Sequence, residues 1–233
     1  PLGIYNEIHD KSTTYPTVFP PRVIASAAAL GGHLFFPKFN IGVVVRGSVL
    51  GDSGAEFDYA VYTGNGTSLS VGAGAPNEAE VDQNANKPFG GRVRFRAGQN
   101  APRASYSWLA EARGPNEEVK LFTSLLGQET SVSGFFANSE LAFAVIDALD
   151  VRSLQFAGWL ELGYDIVGRV APYVRASVFA ADLQRPDPWG EILGGVRIRI
   201  VPRFVLLKLE YAVSGWRPAP PGHGFSASLA GSF

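Results

Sequence analysis

Arg92-Val93-Arg94-Phe95-Arg96 alternates a guanidinium with an apolar side chain, residue by residue. A helix would scatter the three arginines around its circumference. An extended strand puts all three on one face and Val93 and Phe95 on the other. Gly195-Val196-Arg197-Ile198-Arg199-Ile200 repeats the pattern. In residues 204–213, Val205, Leu207, Leu209, Tyr211 and Val213 share one face, and Lys208 and Glu210 the other. Helical periodicity is weak elsewhere, so the chain reads as all-β.

Extending this reading predicts about twelve strands, near residues 1–7, 39–50, 55–64, 89–97, 103–112, 118–127, 136–148, 153–164, 170–181, 190–201, 204–214 and 224–233. No linker or change in composition divides residues 1–233, which points to a single domain. From residue 39 onward, one phase carries Val43, Val45, Phe57, Tyr59, Val61, Val93, Phe95, Tyr106, Trp108, Phe143, Val145, Phe156, Leu160, Leu162, Val174, Val178, Ile198, Leu207 and Leu229. The other carries Arg46, Glu56, Asp58, Arg92, Arg94, Arg96, Glu111, Lys120, Glu140, Glu161, Arg175, Glu191, Arg197, Arg199, Lys208 and Glu210, leaving Asp147 as the one charge in the apolar phase.

A soluble β-rich binding domain also alternates, with its apolar side inward. Two features favour a membrane-spanning barrel. Bulky and small residues mix on the polar face (Phe122, Trp159, Tyr173 and Phe179 with Gly42, Ser48, Ser177 and Ser228), and aromatics collect near strand ends on the apolar face (Tyr59, Tyr106, Tyr164, Tyr211, Phe225, Phe233). The expected fold is therefore an antiparallel up-and-down transmembrane β-barrel. If Phe233 ends on the periplasmic side, the links at 51–54, 97–102, 127–135, 165–169 and 201–203 are periplasmic. Those at 9–38, 64–88, 113–117, 148–152, 182–189 and 214–224 are external, and the longest fall outside, as such barrels prefer.

Composition agrees with this class. The chain is 46 % hydrophobic and 18 % charged, with mean hydropathy +0.07. Its longest apolar runs, 24–30 and 141–146, are far short of the roughly 20 residues a membrane helix needs. A barrel strand meets lipid with every second residue only, so its mean hydropathy looks soluble. There is no cysteine, hence no disulfide or thiolate chemistry. A net charge of −1 without a basic block gives no footprint for nucleic acid. The chain begins at Pro1 and has no methionine, which reads as a processed or partial chain.

Catalytic motifs are weak. Gly51-Asp52-Ser53-Gly54 imitates a serine-protease nucleophile, but His9, His33 and His223 have no matching context, and a tight turn explains the motif better. Asn65-Gly66-Thr67 likewise reads as a turn. No enzyme, cofactor or metal site is expected. The informative chemistry is the charged phase. In a barrel it lines the pore: Arg46, Glu56, Asp58, Arg92, Arg94, Arg96, Glu161, Arg175, Glu191, Arg197, Arg199, Lys208 and Glu210. Arginine rows bias a pore towards anions, and the opposing acids temper that to a mild preference.

At three places the sequence resembles the porin family that includes the phosphate-selective porins of Gram-negative bacteria, the porin O/P-like proteins. The first is Pro1-Leu2-Gly3-Ile4-Tyr5-Asn6-Glu7-Ile8-His9-Asp10 with the Thr/Pro-rich stretch after it. The second is the strand from Tyr59 to Gly66, with Asp82-Gln83-Asn84 and Gly90-Gly91-Arg92. The third is Leu207-Lys208-Leu209-Glu210-Tyr211 with the terminal Phe233. The resemblance implies passive diffusion of small solutes, a homotrimer, and recognition of Phe233 by the barrel-assembly machinery. It does not extend to phosphate selectivity, since the family's lysine-rich pattern has no match. Family members carry further strands before the opening motif, so either the barrel is a small relative or N-terminal strands are missing.

The expected function is thus a water-filled outer-membrane pore for small solutes or anions, in contact with outer-membrane lipid and lipopolysaccharide. A non-conducting structural barrel or anchor with a plugged lumen is the alternative. The apolar run 23–32 inside residues 9–38 is a candidate constriction.

Overall fold

The structure is a computed structural model, and it describes residues 42–52, 54–64, 87–98, 101–113, 119–148, 151–180, 183, 188–201, 205–216 and 220–231. The expected strand near 1–7, the run at 23–32, Asn65-Gly66 and Phe233 lie outside these residues.

Eleven strands form one antiparallel sheet in chain order: β1 Gly42–Leu50, β2 Glu56–Gly64, β3 Phe89–Arg96, β4 Arg103–Arg113, β5 Val119–Val132, β6 Phe135–Ala148, β7 Val151–Tyr164, β8 Val170–Ala180, β9 Trp189–Val201, β10 Val205–Trp216 and β11 Gly222–Gly231. No described residue is helical. Each strand pairs with its neighbours in sequence, so β1 and β11 each have one partner and the sheet is not closed among the described residues. Connections at 51–55, 97–102, 133–134, 165–169 and 202–204 lie at one end, and those at 65–88, 114–118, 149–150, 181–188 and 217–221 at the other. This is the division expected from the sequence.

Two turns show why the hairpins close where they do. At residues 51–55 Gly51 N donates to Ala55 O at 2.8 Å and Gly54 N to Gly51 O at 3.0 Å, with Gly54 at φ 76°. Gly51, Gly54 and Ala55 therefore close a hairpin turn between β1 and β2. Ser133-Gly134 joins β5 to β6 with φ of 50° and 85°. Two successive positive φ values match the right-handed twist of the flanking strands. The link expected at 127–135 is corrected by this hairpin: Gln128 to Val132 continue β5 in register with Phe135 to Ser139.

One face is buried and the other exposed; the exposed one is apolar, while the buried one mixes charged with apolar side chains, unlike a water-soluble sheet. Of the nineteen apolar-phase residues named from the sequence, none is buried, and Val43, Val45, Phe95, Val174 and Leu229 are among those well exposed. Buried on the opposite face are Glu111, Glu140, Glu161, Arg175, Glu191, Lys208 and Glu210, together with Leu109, Ala142, Ala157, Trp159, Phe179 and Leu193. Contacts on this face skip strands. Tyr62 Oη of β2 donates to the Trp108 carbonyl of β4 at 3.4 Å, Tyr173 of β8 to Glu210 of β10, and the Arg197 guanidinium of β9 lies 5.4 Å from the Phe136 ring of β6. Such reach requires the buried face to be concave.

Glycines across the ladder give the interior aromatics their seats. Tyr62 is paired with Gly90, Tyr173 with Gly195 and Phe136 with Gly163. At each of these glycines a Cβ would collide with the ring. The ring lies over backbone that a larger residue would occupy, which fixes the pair to that register.

Candidate functional site

The candidate site is the concave face. Its charges fall into two zones with different exposure.

The first zone spans β2 to β5 at the end of the 51–55 and 97–102 turns. Cross-strand register aligns Glu56 with Arg96, Arg96 with Arg103, and Arg103 with Glu129. Arg96 contacts Glu56 at 2.7 Å, and Arg103 bridges Glu56 at 3.6 Å and Glu129 at 3.3 Å. In the next row Arg94 brings Nε and Nη2 to 2.7 and 2.6 Å of Asp58 Oδ2, with Glu56 at 3.8 Å. These side chains are only partly buried, so their pairing is screened and individually modest in energy. Arg92 stands two residues further along the same face, opposite Ala60.

The second zone is formed by β6 to β10, and its centre is almost fully buried. Arg175 and Glu191 meet at 3.3 Å with side-chain exposures of 0 % and 2 %. Glu161 is opposite Arg175 in register and accepts from Asn138 Nδ2 at 3.3 Å. Glu210 accepts from the Tyr173 hydroxyl, and Glu140 accepts from Trp159 Nε1 at 2.9 Å. Lys208 is opposite Arg197 in register, and both belong to this face. Arg199, nearer the 165–169 turn, donates to Asp165 at 2.9 Å and to the Gly168 carbonyl at 2.6 Å. Glu161 Oε2, Gln155 Oε1 and Ser177 Oγ are buried without a hydrogen-bond partner among the described residues. Buried polar atoms of this kind are ordinarily served by water.

All thirteen candidate residues therefore share one face, and the sheet brings twelve of them into the two zones. Arg46 is the exception. Its register partner Ala60 is buried, but Arg46 itself is exposed, because β1 has only one neighbouring strand. Lys120, expected in the charged phase, is corrected: it points to the exposed face, as does Phe122, because Leu121, Thr123 and Leu125 occupy the buried one. The charged phase read from the sequence includes neither Arg103 nor Glu129. The signal lay in their cross-strand pairing, hidden by ending the strand at residue 127. Among the described residues no three Asp, Glu or His side chains are gathered to hold a metal ion.

The arrangement can present ordered charge and bound water along a concave wall. No protein-family model and no curated protein matches the chain.

Proposed function

We propose that the chain is a transmembrane β-barrel of a bacterial outer membrane, providing a narrow, water-filled path for passive diffusion of small solutes with a mild preference for anions. The observation that carries this reading is the inversion of the two faces. An apolar, aromatic-rich surface faces outward, while paired charges face inward, an arrangement that is unfavourable in water and suited to lipid. A soluble sheet would hide Val43, Val45 and Leu229 and expose Glu161 and Arg175. Eleven strands plus the one expected near residues 1–7 would give the even number usual for bacterial single-chain barrels. The resemblance to the phosphate-selective porins supports the same class, along with its expected homotrimer and its reading of Phe233 by the assembly machinery.

Conduction is tested by reversal potentials in a planar bilayer under a KCl gradient. The partly exposed wall along β2 to β5 is the natural path. Its arginines are matched by Glu56 and Asp58, so anion preference is small and fades as salt shortens the Debye length. Replacing Arg92, Arg94 and Arg96 together by glutamine strips Asp58 of its cation and leaves Glu56 with Arg103 alone, and is expected to turn the pore cation-selective. Unchanged selectivity would remove these arginines from the path.

A second reading rests on the other zone. Glu161, Arg175, Lys208 and Glu210 are each at most 2 % exposed, which is the packing of a filled interior. Folded protein that carries no current would make the chain a structural barrel or anchor.

A further inference from the structure

Three Asp, Glu, Lys or Arg residues of the described strands belong to the exposed phase: Lys120, Asp147 and Arg152. They are not scattered. Lys120 is opposite Asp147 and Asp147 opposite Arg152, on β5, β6 and β7, at the end of the sheet that carries the 65–88 connection. Arg152 and Asp147 are 3.6 Å apart with side chains 71 % and 54 % exposed, so their mutual attraction is weak and the guanidinium stays accessible. Lys87, exposed and two residues before β3, borders the same shallow hollow of about 620 Å³. Three cations therefore border the hollow against two carboxylates, Asp147 in the row and Glu111, which lines the hollow from the buried face.

One strand step inward, two residues along and roughly 7 Å away, the exposed face turns apolar. Phe89, Ala110, Phe122, Val145 and Leu154 follow one another in register across β3 to β7. Phe89 and Phe122 are about half exposed and border the hollow from that side. Cations above a strip of aromatic and aliphatic surface complement an amphiphile: phosphate at the cations, acyl chains along the strip.

We infer that this hollow binds the headgroup of a phosphate-bearing lipid of the outer leaflet, with Lys87, Lys120 and Arg152 on its phosphates. The inference rests on the membrane-barrel reading, in which the end with the long 65–88 connection is external.

The test uses the full chain folded in zwitterionic micelles and titrated with bisphosphorylated lipid A or its dephosphorylated counterpart, with bound lipid read by native mass spectrometry. Wild type should retain the bisphosphorylated form. K120Q/R152Q should retain it about 30-fold less well, as loss of two surface cations implies. R169Q, which removes an exposed arginine at the opposite end, should behave as wild type. Equal retention of both lipids, or no effect of the double substitution, overturns the lipid site and leaves the barrel reading intact. Displacement of lipid by millimolar inorganic phosphate overturns the lipid as source in favour of a free-phosphate site. A chain that folds and stays monodisperse without any amphiphile overturns the barrel reading, and the site with it.

Discussion

An arginine at Phe143 is expected to cost about 2–4 kcal/mol when the chain folds into phosphatidylcholine vesicles, the penalty for a cation at the lipid-facing midplane. Phe143 lies well inside β6, on the exposed face, its ring 5.1 Å from that of Phe156 on β7. Position 95 looks equivalent in the alternation, but β3 ends at Arg96, so Phe95→Arg places its charge near the interface. That substitution should cost about 1 kcal/mol or less. Arg94→Ser removes a partly exposed ion pair and should also cost about 1 kcal/mol or less. Urea titration of vesicle-folded protein measures all three. In a soluble protein an exposed Phe143→Arg would be neutral, so a flat result across the three variants would sink the membrane reading.

Glu191→Ala should be the most damaging change on the concave face. It strips Arg175 of a partner where neither side chain meets solvent. Breaking a buried pair from one side costs roughly 3–5 kcal/mol, because the remaining charge stays buried. Glu161, opposite Arg175 in the ladder, retains part of the compensation and sets the expectation at the lower end, about 3 kcal/mol. Replacing both partners, as in R175M/E191L, should recover only part of the loss: the apolar pair needs no counter-charge, but buried Glu161 loses the cation opposite it. A cost below about 1 kcal/mol for Glu191→Ala would mean that water reaches Arg175. The same titration thus separates a hydrated wall from a packed one, independently of conductance.

Strand pairing and the assignment of faces were legible in the sequence wherever charge alternated with apolar residues without interruption. Arg92 to Arg96, Val196 to Ile200 and Val205 to Val213 are of that kind, and their faces follow directly, whereas the register shift between Val205 and Leu206 does not. The reading failed in β5. Leu121-Phe122-Thr123-Ser124-Leu125-Leu126 carries bulk on both faces, so alternation gives no phase. Lys120 was assigned by its charge alone, and a charge at a strand end can serve either face. The polar run Gly127-Gln128-Glu129-Thr130-Ser131 looked like a loop, yet it continues the ladder with β6. Ser133-Gly134 was the true turn, and its dipeptide was a usable signal.

The candidate site was legible as a set of residues but not as two zones. Periodicity places a residue on a face; it says nothing about which face-mates meet. The depth at which Arg175 and Glu191 are buried depends on curvature that brings β6 within reach of β9. The aromatic seats over Gly90, Gly163 and Gly195 were invisible for the same reason, because each depends on register.

Pairing solely between chain neighbours also orders events in time. Every hairpin closes a short loop, and even the 65–88 connection adds only about 2 kcal/mol of closure entropy over a two-residue turn. Ladders can therefore grow one strand at a time, each templated by the last, with little search between steps. The slow event in such a chain would be the meeting of its two ends, where the intervening segment is the whole sheet. Among the described residues the edges at β1 and β11 have one partner each, and while open they offer backbone to any other strand. A partner that shields those two edges during growth would therefore raise yield by suppressing misassembly, without adding to the stability of the finished molecule.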